Sequence, residues 1–276
     1  MTSWIDPLAK LARENLPPDV AEAWETVFRP AVRLTAGGSG ARVGHLGGSP
    51  ALPADVEWPV WRGELPMNFV ASVDCAALPR VPGGIELPAS GSLLFFYCDD
   101  WFEAEGPVDL TSLGGVVVVP AGTATAERAA PEGVEAYPRL EVSAEITGTF
   151  PNSQQEVLRR TLARDGLPLS DPENWSEEFF DRLRESSAAP YHQIGGCSWP
   201  VQGPPEDEVA AAVLPEDASE SDLAGEALRW ALLAQIDSDG DAGLMWGDAG
   251  VLYWLIRDDD LAAGRFDRVR CVMQSG

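Results

Sequence analysis

The stretch Asp237-Ser238-Asp239-Gly240-Asp241-Ala242-Gly243-Leu244-Met245-Trp246-Gly247-Asp248 puts carboxylates at positions one, three, five and twelve of a twelve-residue segment. At that spacing a chain folded back on itself can aim hard oxygen ligands at one Ca²⁺ ion, so Asp237, Asp239, Asp241 and Asp248 are candidate metal ligands. Two features count against a standard calcium loop. Ala242 occupies the sixth position, where the turn asks for glycine, and Asp248 is shorter than the glutamate that usually chelates from the twelfth. The competing expectation is an acidic hairpin turn in which Asp237 and Asp248 accept hydrogen bonds from backbone amides.

The chain has two histidines, His45 and His192, each placed just before a Gly-Gly pair. Imidazole changes charge near neutrality, so two rings facing one cleft would supply an acid/base pair or metal ligands. The neighbours of His192 extend this idea into a candidate binding set: His192, Gln193, Gln235, Asp237, Trp246 and Asp248. In it the amides would orient a ligand and the carboxylates would carry charge. Counted from the glycines, however, His45 matches Gln193 and not His192. Each ring nitrogen is then expected to bond a neighbouring loop carbonyl. Cys75, Cys98, Cys197 and Cys271 contain no C-x-x-C pair, which argues against a zinc knuckle or redox dithiol and for buried, reduced thiols in a cytoplasmic protein. No G-x-S-x-G elbow, H-E-x-x-H pair or Walker loop occurs, so no residue is assigned as catalytic.

The elements that must hold these residues are written twice. Gly44-His45-Leu46-Gly47-Gly48, Trp58-Pro59, Phe69-Val70-Ala71-Ser72-Val73-Asp74 and Gly91 to Asp100 are answered by His192 to Gly196, Trp199-Pro200, Leu232-Leu233-Ala234-Gln235-Ile236-Asp237 and Gly250 to Asp259. Order is kept while spacing drifts: the Gly-Gly pair lies 26 residues before the aspartate in one copy and 41 in the other. A duplicated unit with loop insertions reads this way. Aligning Ala71 with Ala234 keeps the same strand parity, as a shared role in a sheet demands.

Around the repeats, residues 6–28 read as two short amphipathic helices covering a sheet face, and residues 152–186 as a helical insertion. Its first helix is capped by Asn152 or Ser153 and ends near Gly166, and its second starts at Asp171-Pro172-Glu173 with Trp175, Phe179 and Leu183 on one stripe. Gly115 to Pro120 suits an interior strand, Arg139 to Ile146 a half-exposed one, and Arg268 to Met273 a terminal one. Residues 204–226, with eight acidic side chains, no Lys or Arg and three prolines, read as a surface loop. The fold class is α+β: one domain over 1–276 with two pseudo-repeated, mostly antiparallel β halves at about 30–150 and 190–276, joined across a cleft.

Forty-four acidic against nineteen basic side chains give a net charge of −25. That charge repels phosphate backbones and anionic membrane surfaces, and it suits a basic protein partner or simply solubility. No apolar stretch approaches the ~20 residues that span a bilayer.

The motifs Pro50-Ala51-Leu52-Pro53 with Trp58-Pro59, Phe69 to Asp74, His192 to Gly196, Leu233 to Asp239 and Trp246-Gly247-Asp248-Ala249-Gly250 together resemble the YwqG-like family, bacterial proteins of unknown function, over residues 30–273. The pattern departs where Ser72 stands at a position expected to be Gln. The resemblance implies a fold and no reaction, and some relatives resemble parts of toxin–immunity loci. The reading that follows is a non-catalytic cytoplasmic binding protein, immunity-like, with a basic protein partner. The alternative is an enzyme or Ca²⁺-binding protein with its site in the cleft between the halves, and no other cofactor is implied.

Overall fold

The computed structural model describes residues 4–38, 40–167, 177–185 and 190–276. Prolines open the first two helices, α1 (Asp6–Asn15) and α2 (Pro18–Glu25), where a fixed φ and a missing N–H do no harm. Strands follow: β1 (Arg29–Ala36), β2 (Arg42–Leu46), the short β3 (Ala51–Pro53), β4 (Val60–Trp61) and β5 (Leu65–Pro66), then β6 (Asn68–Asp74), β7 (Ser92–Tyr97), β8 (Gly114–Val119), β9 (Thr125–Glu127) and β10 (Leu140–Thr149). The second part comprises α3 (Glu156–Arg164), α4 (Glu177–Glu185), β11 (His192–Ile194), α5 (Pro205–Val213), α6 (Glu220–Ala227), β12 (Trp230–Asp237), β13 (Val251–Arg257), α7 (Asp258–Ala262) and β14 (Arg270–Gln274).

Ten strands pair antiparallel in the order β14-β13-β12-β11-β1-β10-β2-β6-β7-β8, while β3 with β9 and β4 with β5 make two small ribbons. The pairing repeats residue by residue. His45 faces Ser72 and Leu46 faces Ala71 in one half; Gln193 faces Gln235 and Ile194 faces Ala234 in the other. Both halves break register at the same place, Val70 in β6 and Leu233 in β12, and the freed carbonyls accept from the first glycine of each pair, Gly47 (2.8 Å) and Gly195 (3.2 Å). The echo in the sequence is therefore a structural repeat, in which His45 corresponds to Gln193 and His192 to Gly44. A side chain at Gly44 would run into the Ser72 carbonyl, so the histidine has room only in the second half.

The halves are not two sheets but one. β1 precedes β2 in the chain, yet it pairs with β11 and β10, while β10 pairs with β2. By position in the sheet the first half is residues 42–149 and the second 192–274, with β1 crossing over into the second. The β1–β10 ladder carries a pseudo-twofold axis near the Thr35–Ser143 pair. The sheet curls until its margins touch: the Cys271 N–H donates to the Thr111 carbonyl (2.9 Å), and Ser112 bridges Cys271 in parallel. Gly114 makes this nearly closed barrel possible, because a methyl group there would collide with the Cys271 side chain. The run 115–120, read as interior, thus lies at a sheet margin that β14 protects.

Equivalent residues meet inside. Phe95 and Trp254, matched by the register, are both buried and touch edge to face with centroids 5.3 Å apart. β6 and β12 run in opposite directions, so the corresponding loops 75–91 and 238–250 leave opposite ends of the barrel. Leu78 from one loop and Ala242, Leu244 and Trp246 from the other join the same apolar core.

The N-terminal helices form a small bundle with α3 and α4 around Trp24, Phe150, Leu158 and Phe179, and meet the sheet at Gly148 of β10 instead of lying across a sheet face. Asn152 Oδ1 accepts the Gln154 and Gln155 N–H groups in a turn ahead of α3, but the cap position belongs to Gln155, without a side-chain cap bond, and not to Asn152 or Ser153. The start of the second helix at Asp171-Pro172-Glu173, and Trp175, lie outside the described residues, whereas Phe179 and Leu183 are buried as expected. Residues 204–226 correct the reading as a loop, since they hold α5 and α6. Pro205 with Glu206, Asp207 and Glu208 opens α5, a composition that suits a first helical turn as well as it suits a loop. Ser219 and Asp222 form a capping box on α6.

Truncating either axis partner, Phe95→Ala or Trp254→Ala, is expected to cost about 3–5 kcal/mol in urea denaturation. Because the two rings share one contact, the double variant should lose less than the sum. Strict additivity would contradict the contact across the axis.

Candidate functional site

The β11–β12 pairing decides what the candidate residues can do. His192 is 2% exposed, its Nδ1 accepts the backbone N–H of Asp237 (3.1 Å), and its Nε2 faces Asp239 Oδ2 (3.1 Å). An acceptor at Nδ1 places the proton on Nε2, where it is donated to the carboxylate. The ring is therefore neutral, and burial holds its pKa below the ordinary value against the pull of Asp239. For Asp239 burial pushes upward, but the hydrogen bonds from His192 and from the Asp241 and Ala242 amides outweigh it, so its carboxyl titrates low. Asp237 turns one oxygen to the Tyr191 N–H (2.6 Å), its other oxygen is buried with no hydrogen-bond partner among the described residues, and burial raises its pKa.

The amides are engaged in the same way. Gln235 accepts from the Trp199 N–H (2.9 Å) and donates to the Tyr191 carbonyl (3.2 Å); Gln193 donates to the carbonyls of Gly195 and Cys197 (2.9 Å each). Together these residues fasten the 191–199 segment to the sheet. Ser72, at the position of Gln235, is too short to do this, which explains why the polar network exists in one half only. His45 bonds the Gly47 carbonyl through Nδ1 (2.8 Å), the loop contact expected of it.

The four carboxylates of the calcium reading are not gathered. Asp237 and Asp239 flank His192, Asp241 and Asp248 lie exposed, and the turn is held by Asp239–Leu244 backbone pairing and by Ser238 Oγ on the Trp246 N–H. Among the described residues no three His, Cys, Asp or Glu side chains are arranged to hold a metal ion. Trp246 is fully buried against Tyr97 and Tyr137 and belongs to the core, not to a binding surface. None of these candidate residues lines the acid-walled cavity of the molecule.

The concave feature lies at the other end of the barrel. A cavity of about 790 Å³ opens between loop 83–88, the starts of α3 and α5, and the α7 region. Its wall carries Glu86, Glu156, Glu206, Asp207 and Asp258 against the single cation Arg29. Glu206 accepts from Ser198 Oγ (2.8 Å) and Gln155 Nε2 (3.4 Å) on one oxygen, while its other oxygen is buried with no hydrogen-bond partner among the described residues. Burial raises the pKa of Glu206, Asp207 and Asp258 alike. None of the candidate binding or metal-ligating residues lines it; of the sequence motifs, the second Gly-Gly pair, Asp258 and the Pro-Pro-Glu-Asp-Glu run reach its wall. Cys197, also in its wall, is an unreactive thiol whose pKa burial pushes up to about 12. The Asp258-Asp259-Asp260 cluster, which reads as a solvated turn capping a short helix through Ala263, does open α7, but with Asp260 buried against Arg265 instead of solvated.

Two measurements follow. Gln235→Ala leaves an amide and a carbonyl unpaired and should cost about 1–3 kcal/mol. Both histidines titrate below the ordinary 6.5 when folded, so the unfolded chain takes up protons first as pH falls. Their share of stability is complete above that value and is lost as pH drops toward the lowered folded pKa. His192→Gln should therefore be less stable than wild type at about pH 8 and show a shallower loss between about pH 7 and 5 in chemical denaturation. Parallel curves would contradict the neutral, buried ring.

Residues 44–275 match the model of a family described as a domain of unknown function, DUF1963. No curated protein matches the chain. Among the described residues no helix is long and apolar enough to cross a membrane. The matched span runs from the strand before the first Gly-Gly pair to the end of β14, taking in both halves of the barrel, and the chain belongs to the DUF1963 family.

Proposed function

We propose that this protein is a non-catalytic binding protein of the bacterial YwqG-like group, cytoplasmic and immunity-like, whose partner is a basic protein. The observation that carries the reading is the acid-lined cavity, whose wall holds five carboxylates and one guanidinium on a molecule of net charge −25. Such a surface draws in cationic partners over several ångströms of solution and rejects polyanions. The side chains that an enzyme would use as acid, base or ligand, His192, Gln193, Gln235 and Asp237, are occupied by backbone groups of the 191–199 segment and of β12. A barrel whose interior is filled with side chains also suits a rigid recognition scaffold.

The test is affinity capture with the intact chain from its native lysate at about 0.05 M salt, followed by a wash at about 0.5 M, where charge attraction is screened. A basic protein recovered in stoichiometric amount and released by the wash is the expected result. Recovery of no partner that salt removes would overturn the reading.

A further inference from the structure

We infer that the cavity beside α5 binds a primary ammonium or guanidinium group carried on an apolar stem, with Glu206 as its charge partner. This inference deepens the proposed function by naming what the cationic partner would insert. Three features of the wall carry it.

The first is the state of Glu206 itself. A carboxylate oxygen that is buried and unpaired is costly, and structures retain such groups where something else completes them. Ser198 and Gln155 satisfy only one of the two oxygens of Glu206, and the other has no donor among the described residues. A ligand N–H would supply it, and a carboxyl whose charge is disfavoured by burial gains most from a cation.

The second is the imbalance of charge around it. Arg29, the cation of the wall, gives its Nη1 to the carbonyls of Thr26 and Phe28 at 2.9 Å each. Glu156 is already paired with Arg159 (2.9 Å) and Arg160 (2.6 Å) from the following turn of α3. Among the described residues Glu206, Asp207 and Asp258 form no ion pair within 4.0 Å, and Arg159, which favours the charge of Asp207, is itself bonded to Glu156. The third is shape. Between the carboxylates the wall is apolar, with Ile85, Leu87, Leu232, Leu261 and Phe266, and the volume fits an organic group of modest size. Carboxylates spread around such a wall do not form a coordination shell, which favours an organic cation over a metal ion.

A protein side chain and a free amine present the same chemistry, and the experiment separates them. Isothermal titration of the full chain would use butylguanidinium and spermidine as free cations, an end-blocked Gly-Arg-Gly peptide as the protein side chain, and butanol as the neutral stem. Variants are Glu206→Gln, Asp258→Asn across the cavity, and Asp55→Asn, an exposed acid elsewhere that removes the same net charge. Cation binding should weaken at least about tenfold in Glu206→Gln and less in Asp258→Asn, with Asp55→Asn matching wild type, because bulk charge acts equally in all three. Melting curves establish that the variants fold, and Asp258→Asn carries the test if Glu206→Gln does not. No binding by any cation, equal binding by butanol, or affinity indifferent to both cavity variants would overturn the inference. A basic protein still captured by Glu206→Gln would leave the partner reading standing and sink the cavity. Cations that bind through Glu206 while no basic protein is recovered would do the reverse.

Discussion

The ladder between β1 and β10 is the constraint on which this molecule rests. It is the longest strand pairing in the sheet and the only one that joins the two halves through their leading strands. Each leading strand sits away from the strand that follows it in the chain, so neither half has a complete sheet without the other. Antiparallel pairing about a pseudo-twofold axis then fixes everything that follows. It makes β6 and β12 run oppositely, sends the related loops to opposite ends, and brings Phe95 and Trp254 together between them. Unpaired strand margins invite association with other chains, and here the curl of the sheet brings residues 111–112, just before β8, onto Cys271 of β14 and shields part of both margins.

A shared scaffold does not mean shared chemistry. Gly44 and His192 occupy the same position, as do Ser72 and Gln235, and Cys75 and Ser238. In the first half the backbones approach so closely that no side chain fits at Gly44. In the second, the imidazole and two glutamines fill that region and tie down the segment leading to Trp199. Polar side chains gathered in a buried place look like a reacting centre, but here the glutamines and Nδ1 of the imidazole are directed at main-chain groups, and Nε2 at the Asp239 carboxylate. Buried backbone donors and acceptors must be paired somewhere, and a bend that leaves the ladder, as residues 195–199 do, needs side chains to supply what neighbouring strands cannot.

The cavity follows from the opposite situation. Loop 75–91 and the helices that follow the repeats do not fill the far end of the barrel as loop 238–250 fills the near one with Trp246. Carboxylates from four separate segments therefore surround space instead of packing against one another.

Much of the fold was legible because duplicated local signals agree with each other. The register matches His45 with Gln193, as counting from the glycines had indicated, and the strand phases of Ala71 and Ala234 were right. Alternation tells which face a side chain takes but says nothing about which strand lies alongside, so the crossing of β1 could not be read. Acidic, proline-containing residues 204–226 were ambiguous for a related reason: the same side chains that solvate a loop also stabilise the first turn of a helix, and only packing of Val209 against Trp230 and Tyr253 decides between them. Of the candidate residues, Gln193, Gln235 and Asp237 gather around His192 while Trp246 and Asp248 do not, and whether the gathered ones face a ligand or the backbone depends on where a bend in another segment places its amides. Sequence alone determined the repeat, the strand phases and the acidic charge, since these are written in adjacent residues. The barrel closure, the neutral state of His192 and the acid-lined cavity were decided by tertiary structure, because each depends on desolvation and distance between groups that the chain keeps far apart.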